Sequence, residues 1–264
     1  MLMRTGGLVL HTTNYSETSV IAKVFTQQLG LRSYIMKGVR SRGGRTKANL
    51  LQPMTHVELV VYNNPKTSLN YIKEIAPSGC RGAYDYDPVV TTLRFFMAEL
   101  LYKSLREEEP LPALFDYCVE FIDLCDSASQ RGNGENAQET ARKVLPMSSL
   151  PIMFELGVLH HLGLEPMNNY SGQEPYFNLK EGRYMGAPSQ YSPREATEGD
   201  YMLDGTGSLH LHYYLEVMQH EGAVPLLAQW QRRQLIETLL EYYRIHIADF
   251  RNFKSHEILH AVLS

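Results

Sequence analysis

Through the first 80 residues, apolar and β-branched positions recur in short runs, several with a period of two: 7–13, 18–26, 31–37, 55–63 and 68–75. A period of two is the pattern of a strand with one face buried. Gly30, Gly38, Gly43-Gly44 and Asn63-Asn64-Pro65 punctuate the runs as turns. Five short strands in this length predict a closed barrel, because closure removes exposed edges. The expected barrel is an OB-fold, with an SH3-like barrel as its competitor.

At residue 87 the period changes. Asp87-Pro88 supplies an N-cap followed by proline at the first helical position. Val89, Leu93, Phe96, Met97, Leu100 and Leu101 then follow helical spacing, and a second helix fits 114–125. Residues 127–140 are polar and contain glycine, which predicts a mobile loop. A helix over 150–162 is stopped by Gly163. Residues 164–206 read as irregular, with one hairpin over 176–185 turning at Glu181-Gly182 and a turn at Gly205-Thr-Gly-Ser208. Helices resume over 209–219, 230–247 and 255–263. The expected fold is therefore α+β: an N-terminal five-stranded OB-fold β-barrel (1–80) followed by a mainly α-helical domain (81–264).

The charge distribution supports that division. Residues 1–80 carry ten Lys and Arg against three acids, net +7; residues 81–264 carry 15 against 26, net −11; together they give the −4 of the whole chain. The basic half is the candidate polyanion surface. No run approaches the ~18 apolar residues of a membrane span, and the start of the chain does not read as a signal peptide, so a cytoplasmic protein is expected. Cys80, Cys118 and Cys125 form no CxxC pair; the last two read as small buried apolar residues.

The sharpest local feature is the run from Lys37 to Lys47, with Lys37, Arg40, Arg42, Arg45 and Lys47 and no acid. It lies between two expected strands, and its glycines predict a flexible loop that can follow a phosphate backbone; arginine adds a forked donor set that fits phosphate oxygens. Tyr34, Tyr62 and Tyr71 lie on expected strands, where aromatic rings either stack bases or fill the core. Arg32 and Lys73 stand an even number of residues from Tyr34 and Tyr71, so each pair shares a face. The candidate DNA-binding residues are Arg32, Tyr34, Lys37, Arg40, Arg42, Arg45, Lys47, Tyr71 and Lys73, with no catalytic residue and no cofactor. The acidic run Glu107-Glu108-Glu109 reads as a solvated helix end.

A competing motif is His256-Glu257-Ile258-Leu259-His260, which matches H-E-x-x-H on an expected helix and could hold zinc beside a general base. Against a zinc hydrolase, no third ligand follows, and Ile258, Leu259, Val262 and Leu263 read as a packing face. No phosphate-binding GxxxxGK[ST] and no GxSxG elbow occur. Two further alternatives remain open on the residues alone: an interaction module whose barrel binds an acidic protein tail, and an RNA-binding barrel protein.

Several of these features together resemble the RecO family of bacterial recombination mediators. At the start they are Gly7-Leu-Val-Leu10, Tyr15-Ser-Glu17, Val24-Phe-Thr26, Gly30, Lys37-Gly38-Val39-Arg40 and Leu51-Gln52-Pro53. The middle offers Phe154-Glu-Leu-Gly-Val-Leu159 and Leu162-Gly163-Leu164-Glu165-Pro166, and the end Leu239-Leu240-Glu-Tyr-Tyr243, His246 and Phe253-Lys254-Ser255. The resemblance implies an OB-fold, a helical domain and no catalytic chemistry. It further implies binding of single- and double-stranded DNA, annealing of complementary strands, and loading of RecA, with RecR, onto strands coated by single-strand-binding protein. Many relatives carry a four-cysteine zinc site after the Leu-Gly-x-x-Pro segment; here 167–193 has no cysteine. Zinc is not expected there, and Tyr170, Tyr176, Phe177, Tyr184, Met185 and Tyr191 are expected to hold the region by packing.

Overall fold

The structure is a computed structural model that describes residues 1–41, 43–64, 66–78, 87–131, 146–186, 201–220 and 224–263. It contains two compact units, Met1–Leu124 with Phe253–Leu259 and Cys125–Asn252 with His260–Ser264. The packed N-terminal unit thus extends beyond residue 80, where the strand pattern ends, because helices are packed onto the barrel.

Five strands form the barrel: β1 (Leu2–Asn14), β2 (Val20–Thr26), β3 (Gly30–Met36), β4 (His56–Tyr62) and β5 (Leu69–Pro77). They close in the order β1-β2-β3-β5-β4, antiparallel except for β3 with β5. Helix α1 (Arg45–Leu50) lies in the connection between β3 and β4. This is the OB-fold that the sequence predicts. Closure depends on the length of β1. Its first half pairs with β4, from Leu2 opposite Tyr62 to Leu8 opposite His56. Its second half pairs with β2, from Gly7 opposite Thr26 to Asn14 opposite Val20, across a bulge at Leu10. Val9, Val24, Tyr34, Val57, Leu59 and Val61 fill the barrel interior, each at most 1% exposed.

Three helices belong wholly or in part to this unit: α2 (Pro88–Ser104), α3 (Pro112–Arg131) and α7 (Ser255–Val262). Helix α2 starts as the sequence predicts, with the Asp87 carboxylate accepting from the backbone N–H of Val89 at 2.7 Å and of Val90 at 3.3 Å. It packs on β1. At the start of α3, the Phe115 ring meets Phe25 and His56 edge-on. The helix runs to Arg131, so residues 127–131 are helical where a loop is expected; 132–140 lie outside the described residues. Glu99 of α2 caps α7 from 155 residues away, accepting from the backbone N–H of Lys254 and Ser255.

In the second unit, α4 (Leu150–His161), α5 (Gly205–Gln219) and α6 (Gln229–His246) pack together. The residues from Leu150 to Leu159 of α4 are all buried, as expected of a helix apolar on every side. The expected turn at 205–208 is instead the first turn of α5, because the Asp204 side chain accepts from the Gly207 N–H at 2.6 Å and nucleates the helix. The expected hairpin is present as β6 (Tyr176–Asn178) and β7 (Arg183–Met185). In place of cysteines, the segment before it uses an amide and aromatic network. Asn169 accepts from the Tyr184 N–H at 2.8 Å and donates to the Tyr184 carbonyl at 3.0 Å. Tyr170 stacks on His212 at 4.5 Å and meets Tyr184 edge-on, and Tyr184 in turn packs against Phe177. Tyr176 and Met185 are half-buried, and Tyr191 lies outside the described residues. Cys118 and Cys125 are buried, as expected of small apolar side chains. No helix among the described residues is long and apolar enough to cross a membrane.

Candidate nucleic-acid interface

The basic run leaves β3 and folds back on the barrel. Val39 is buried among the barrel core residues and pins its middle. The Ser41 hydroxyl donates to the Gly38 carbonyl at 2.8 Å, and the Gly44 N–H donates to the Ser41 carbonyl at 2.9 Å. Gly44 is required by close approach: a Cβ there would overlap the carbonyl oxygens of Gly38 and Val39. Helix α1 then begins at Arg45. Where the glycines suggest a flexible loop, the described residues form an anchored turn and a short helix. Arg42 lies outside them.

This connection and the β4–β5 hairpin enclose a cleft of about 860 Å³. Lys37 and Lys47 contribute from the connection, Tyr62 from β4, and Tyr71, Lys73 and Glu74 from β5. Three cations therefore face one acid. The Lys37 ammonium sits 5.3 Å from the centre of the Tyr71 ring, within cation–π range. Lys47 donates to the Lys37 carbonyl at 3.4 Å. Lys73 and Glu74 are 3.4 Å apart on the surface, a solvent-screened pair that contributes little. The ladder explains their crowding. Val60 pairs with Glu74 but Val61 with Ile72, so Lys73 is the extra residue of a bulge, which turns a side chain out of register.

The structure thus brings together Lys37, Lys47, Tyr71 and Lys73 of the residues singled out from sequence. Arg45 is exposed at the start of α1 but does not line the cleft. Arg40 points toward the β1–β2 turn: its N–H donates to the Thr18 carbonyl at 3.2 Å and its guanidinium to the Ser16 carbonyl at 3.3 Å.

Two assignments need correction. Tyr34 is 1% exposed inside the barrel, and burial pushes its hydroxyl up to about 12 despite the opposing Arg32 charge. It cannot stack on a base from there. Arg32 is buried too, and its guanidinium is 2.8 Å from the Glu108 carboxylate. Arg32 and Tyr34 do share a face, but it is the inner one. The partner comes from the acidic run, which is not a free helix end. Glu107 bridges to Leu31 alongside β3 and pairs with Lys23, and Glu108 donates its N–H to the Leu31 carbonyl at 3.1 Å. Gly30, with a left-handed φ of 67°, makes room for this segment, since a Cβ would strike the Glu109 backbone. Lys23 and Arg32 are therefore neutralised, whereas Lys37, Lys47, Arg40 and Arg45 have no carboxylate partner among the described residues.

Tyr62 is absent from the sequence-derived site. It is 48% exposed and directly opposite Tyr71, which is 43% exposed. The signal lay in symmetry: the two tyrosines flank one strand-to-strand connection, so hairpin pairing places them face to face.

The H-E-x-x-H motif lies on α7 as expected, but its histidines pack. His256 is buried against the Phe253 ring, and His260 lies 3.3 Å from the Glu237 carboxylate. Among the described residues, no three His, Cys, Asp or Glu side chains converge as a metal site would require.

Fold and site together define an OB-fold protein with a cationic, tyrosine-lined cleft on its barrel. Residues 1–80 match the family model described as "Recombination protein O N terminal". Along its full length the chain is similar to proteins named DNA repair protein RecO. It is 27% identical to that of Christiangramia forsetii over 263 residues, covering 99% of both chains. It is 26% identical to that of Phocaeicola vulgatus over 272 residues, covering both chains entirely, and 27% identical to that of Bacteroides fragilis over 265 residues, covering 98% of both. The chain is thus similar to the RecO family, through the family model over its first 80 residues and through these relatives over its full length.

Proposed function

We propose that this chain is a non-enzymatic DNA repair protein that binds single- and double-stranded DNA through the barrel cleft and anneals complementary strands. With RecR it helps to load RecA onto DNA coated by single-strand-binding protein, working in the cytoplasm. The observation that carries the DNA-binding part is the clustering around one cleft of Lys37 and Lys47, with no carboxylate partner among the described residues, and of Lys73, whose acid contact is a solvent-screened pair with Glu74, while Lys23 and Arg32 are held by acids elsewhere on the barrel. Phosphate neutralisation by such cations supplies most of sequence-independent affinity. It also lowers the repulsion between two strands that must approach to pair. The mediator role is supported by full-length similarity to proteins named DNA repair protein RecO.

The test is annealing of complementary oligonucleotides, bare and coated with single-strand-binding protein, by wild type and by Lys37→Glu/Lys47→Glu. Reversal of both charges is expected to slow annealing at least tenfold on either substrate. Unchanged annealing would remove the cleft from the mechanism. Metal analysis of the purified protein separates the zinc alternative: stoichiometric zinc lost on replacing His256 and His260 would favour it.

A further inference from the structure

The cleft contains more than charge. Tyr62 and Tyr71 leave large ring areas in water at the centre of a lysine cluster, although the barrel has a filled interior beneath them. They are paired in the antiparallel ladder, so both project from one face with Cβ atoms about 5 Å apart. The connection between them is fixed internally. Asn70, 3% exposed, accepts from the Asn64 N–H at 2.9 Å and donates to the Thr67 carbonyl at 3.1 Å. The two rings therefore stand on a braced hairpin rather than a loose one. Neither hydroxyl has a hydrogen-bond partner among the described residues, and Tyr71 carries the Lys37 ammonium over its face.

An aromatic face can be offered to a nucleobase only where that base is unstacked from its neighbours. In a duplex the base faces are hidden in the stack, while the phosphates remain open to lysine. Charge in this cleft acts on both forms of DNA, and ring area acts on one. Resting on the DNA-binding reading above, we propose that Tyr62 and Tyr71 form a base-stacking platform that makes the cleft selective for single strands over duplex. Lys37, held against Tyr71, is placed to meet the phosphate of the stacked nucleotide. The platform has a consequence for annealing. When two strands pair, their bases leave the tyrosines for each other, so the product keeps only the phosphate contacts and is released more readily than the substrate.

The experiment compares wild type, Tyr62→Ala/Tyr71→Ala, Tyr62→Phe/Tyr71→Phe and Lys37→Glu/Lys47→Glu, all as full chains with matched thermal denaturation. Tyr15→Ala serves as a control, since Tyr15 is exposed outside the cleft. Each is titrated with a single strand, an abasic strand of equal length and a duplex. Stacking is expected to be worth ~5- to 150-fold for each base that uses a ring. The alanine pair should lose that factor on the single strand alone, leaving abasic and duplex affinity unchanged. The phenylalanine pair and Tyr15→Ala should behave as wild type. The lysine pair should weaken on all three ligands. If the alanine pair binds the single strand as wild type does, or weakens equally on all three, while the lysine pair still loses affinity, the platform is overturned and the cationic cleft stands. If the lysine pair also binds normally, the cleft reading itself fails.

Discussion

Glu155 offers the sharpest test of the helical unit. It lies in α4 with no solvent exposure, and neither carboxylate oxygen has a hydrogen-bond partner among the described residues. Burial, with the Glu237 charge as a second cause, pushes its carboxyl well above the usual carboxylate range. The folded protein therefore holds a proton there that the unfolded chain releases near 4.5. Between the unfolded and folded pKa values the unfolded state binds fewer protons, so stability falls as pH rises, by up to ~1.4 kcal/mol per pH unit for this one group. Glu155→Gln has nearly the same shape and cannot ionise. Urea denaturation of both proteins at pH 5, 6 and 7 isolates the effect, because all other titrations cancel in the difference. The variant should gain on wild type by an increment that grows with pH. Parallel stabilities across that range would show that Glu155 does not resist ionisation, and would refute the reasoning.

Three further outcomes follow from the geometry. Arg32→Ala should cost about 1–3 kcal/mol of stability by urea denaturation, through lost packing and hydrogen bonds, but leave DNA affinity near wild type, since its guanidinium is engaged by Glu108. Gly44→Ala should displace the start of α1 through overlap with the carbonyls of Gly38 and Val39, and weaken oligonucleotide binding more than it lowers the melting temperature. Glu99→Ala should remove the cap from α7 and cost about 0.5–2 kcal/mol, measured by thermal denaturation and by faster hydrogen exchange at 255–258.

Much of the architecture was legible because local signals agreed with the tertiary result. The barrel strands, the Asp87-Pro88 helix start and the Glu181-Gly182 hairpin each have a short-range cause: alternation, a cap, a turn. The failures have long-range causes. The first residues of β1 become strand because they find β4 as a partner, which no local alternation announces. Tyr34 could not be assigned a face because β3 is buried on both sides, so a period of two carries no information there. Arg32 lost its free charge to Glu108, 76 residues onward, and the same contact turns an acidic run from a solvated end into part of the barrel's edge. The lysines of the cleft were visible as a charge cluster. Tyr62 was visible as a strand tyrosine, but its place opposite Tyr71 in the cleft emerged only once the hairpin was paired residue by residue.

The central claim is that the barrel cleft binds nucleic acid through its lysines. Fluorescence-anisotropy titration of a labelled single-stranded oligonucleotide over a series of salt concentrations, with wild type beside Lys37→Ala/Lys47→Ala, tests it directly. Each phosphate neutralised on a single strand contributes roughly −0.7 to the slope of log affinity against log salt, so loss of two contacts should flatten the slope by about 1.4. That flattening, with weaker binding at low salt, is the predicted result. Superimposable lines for the two proteins would contradict the account.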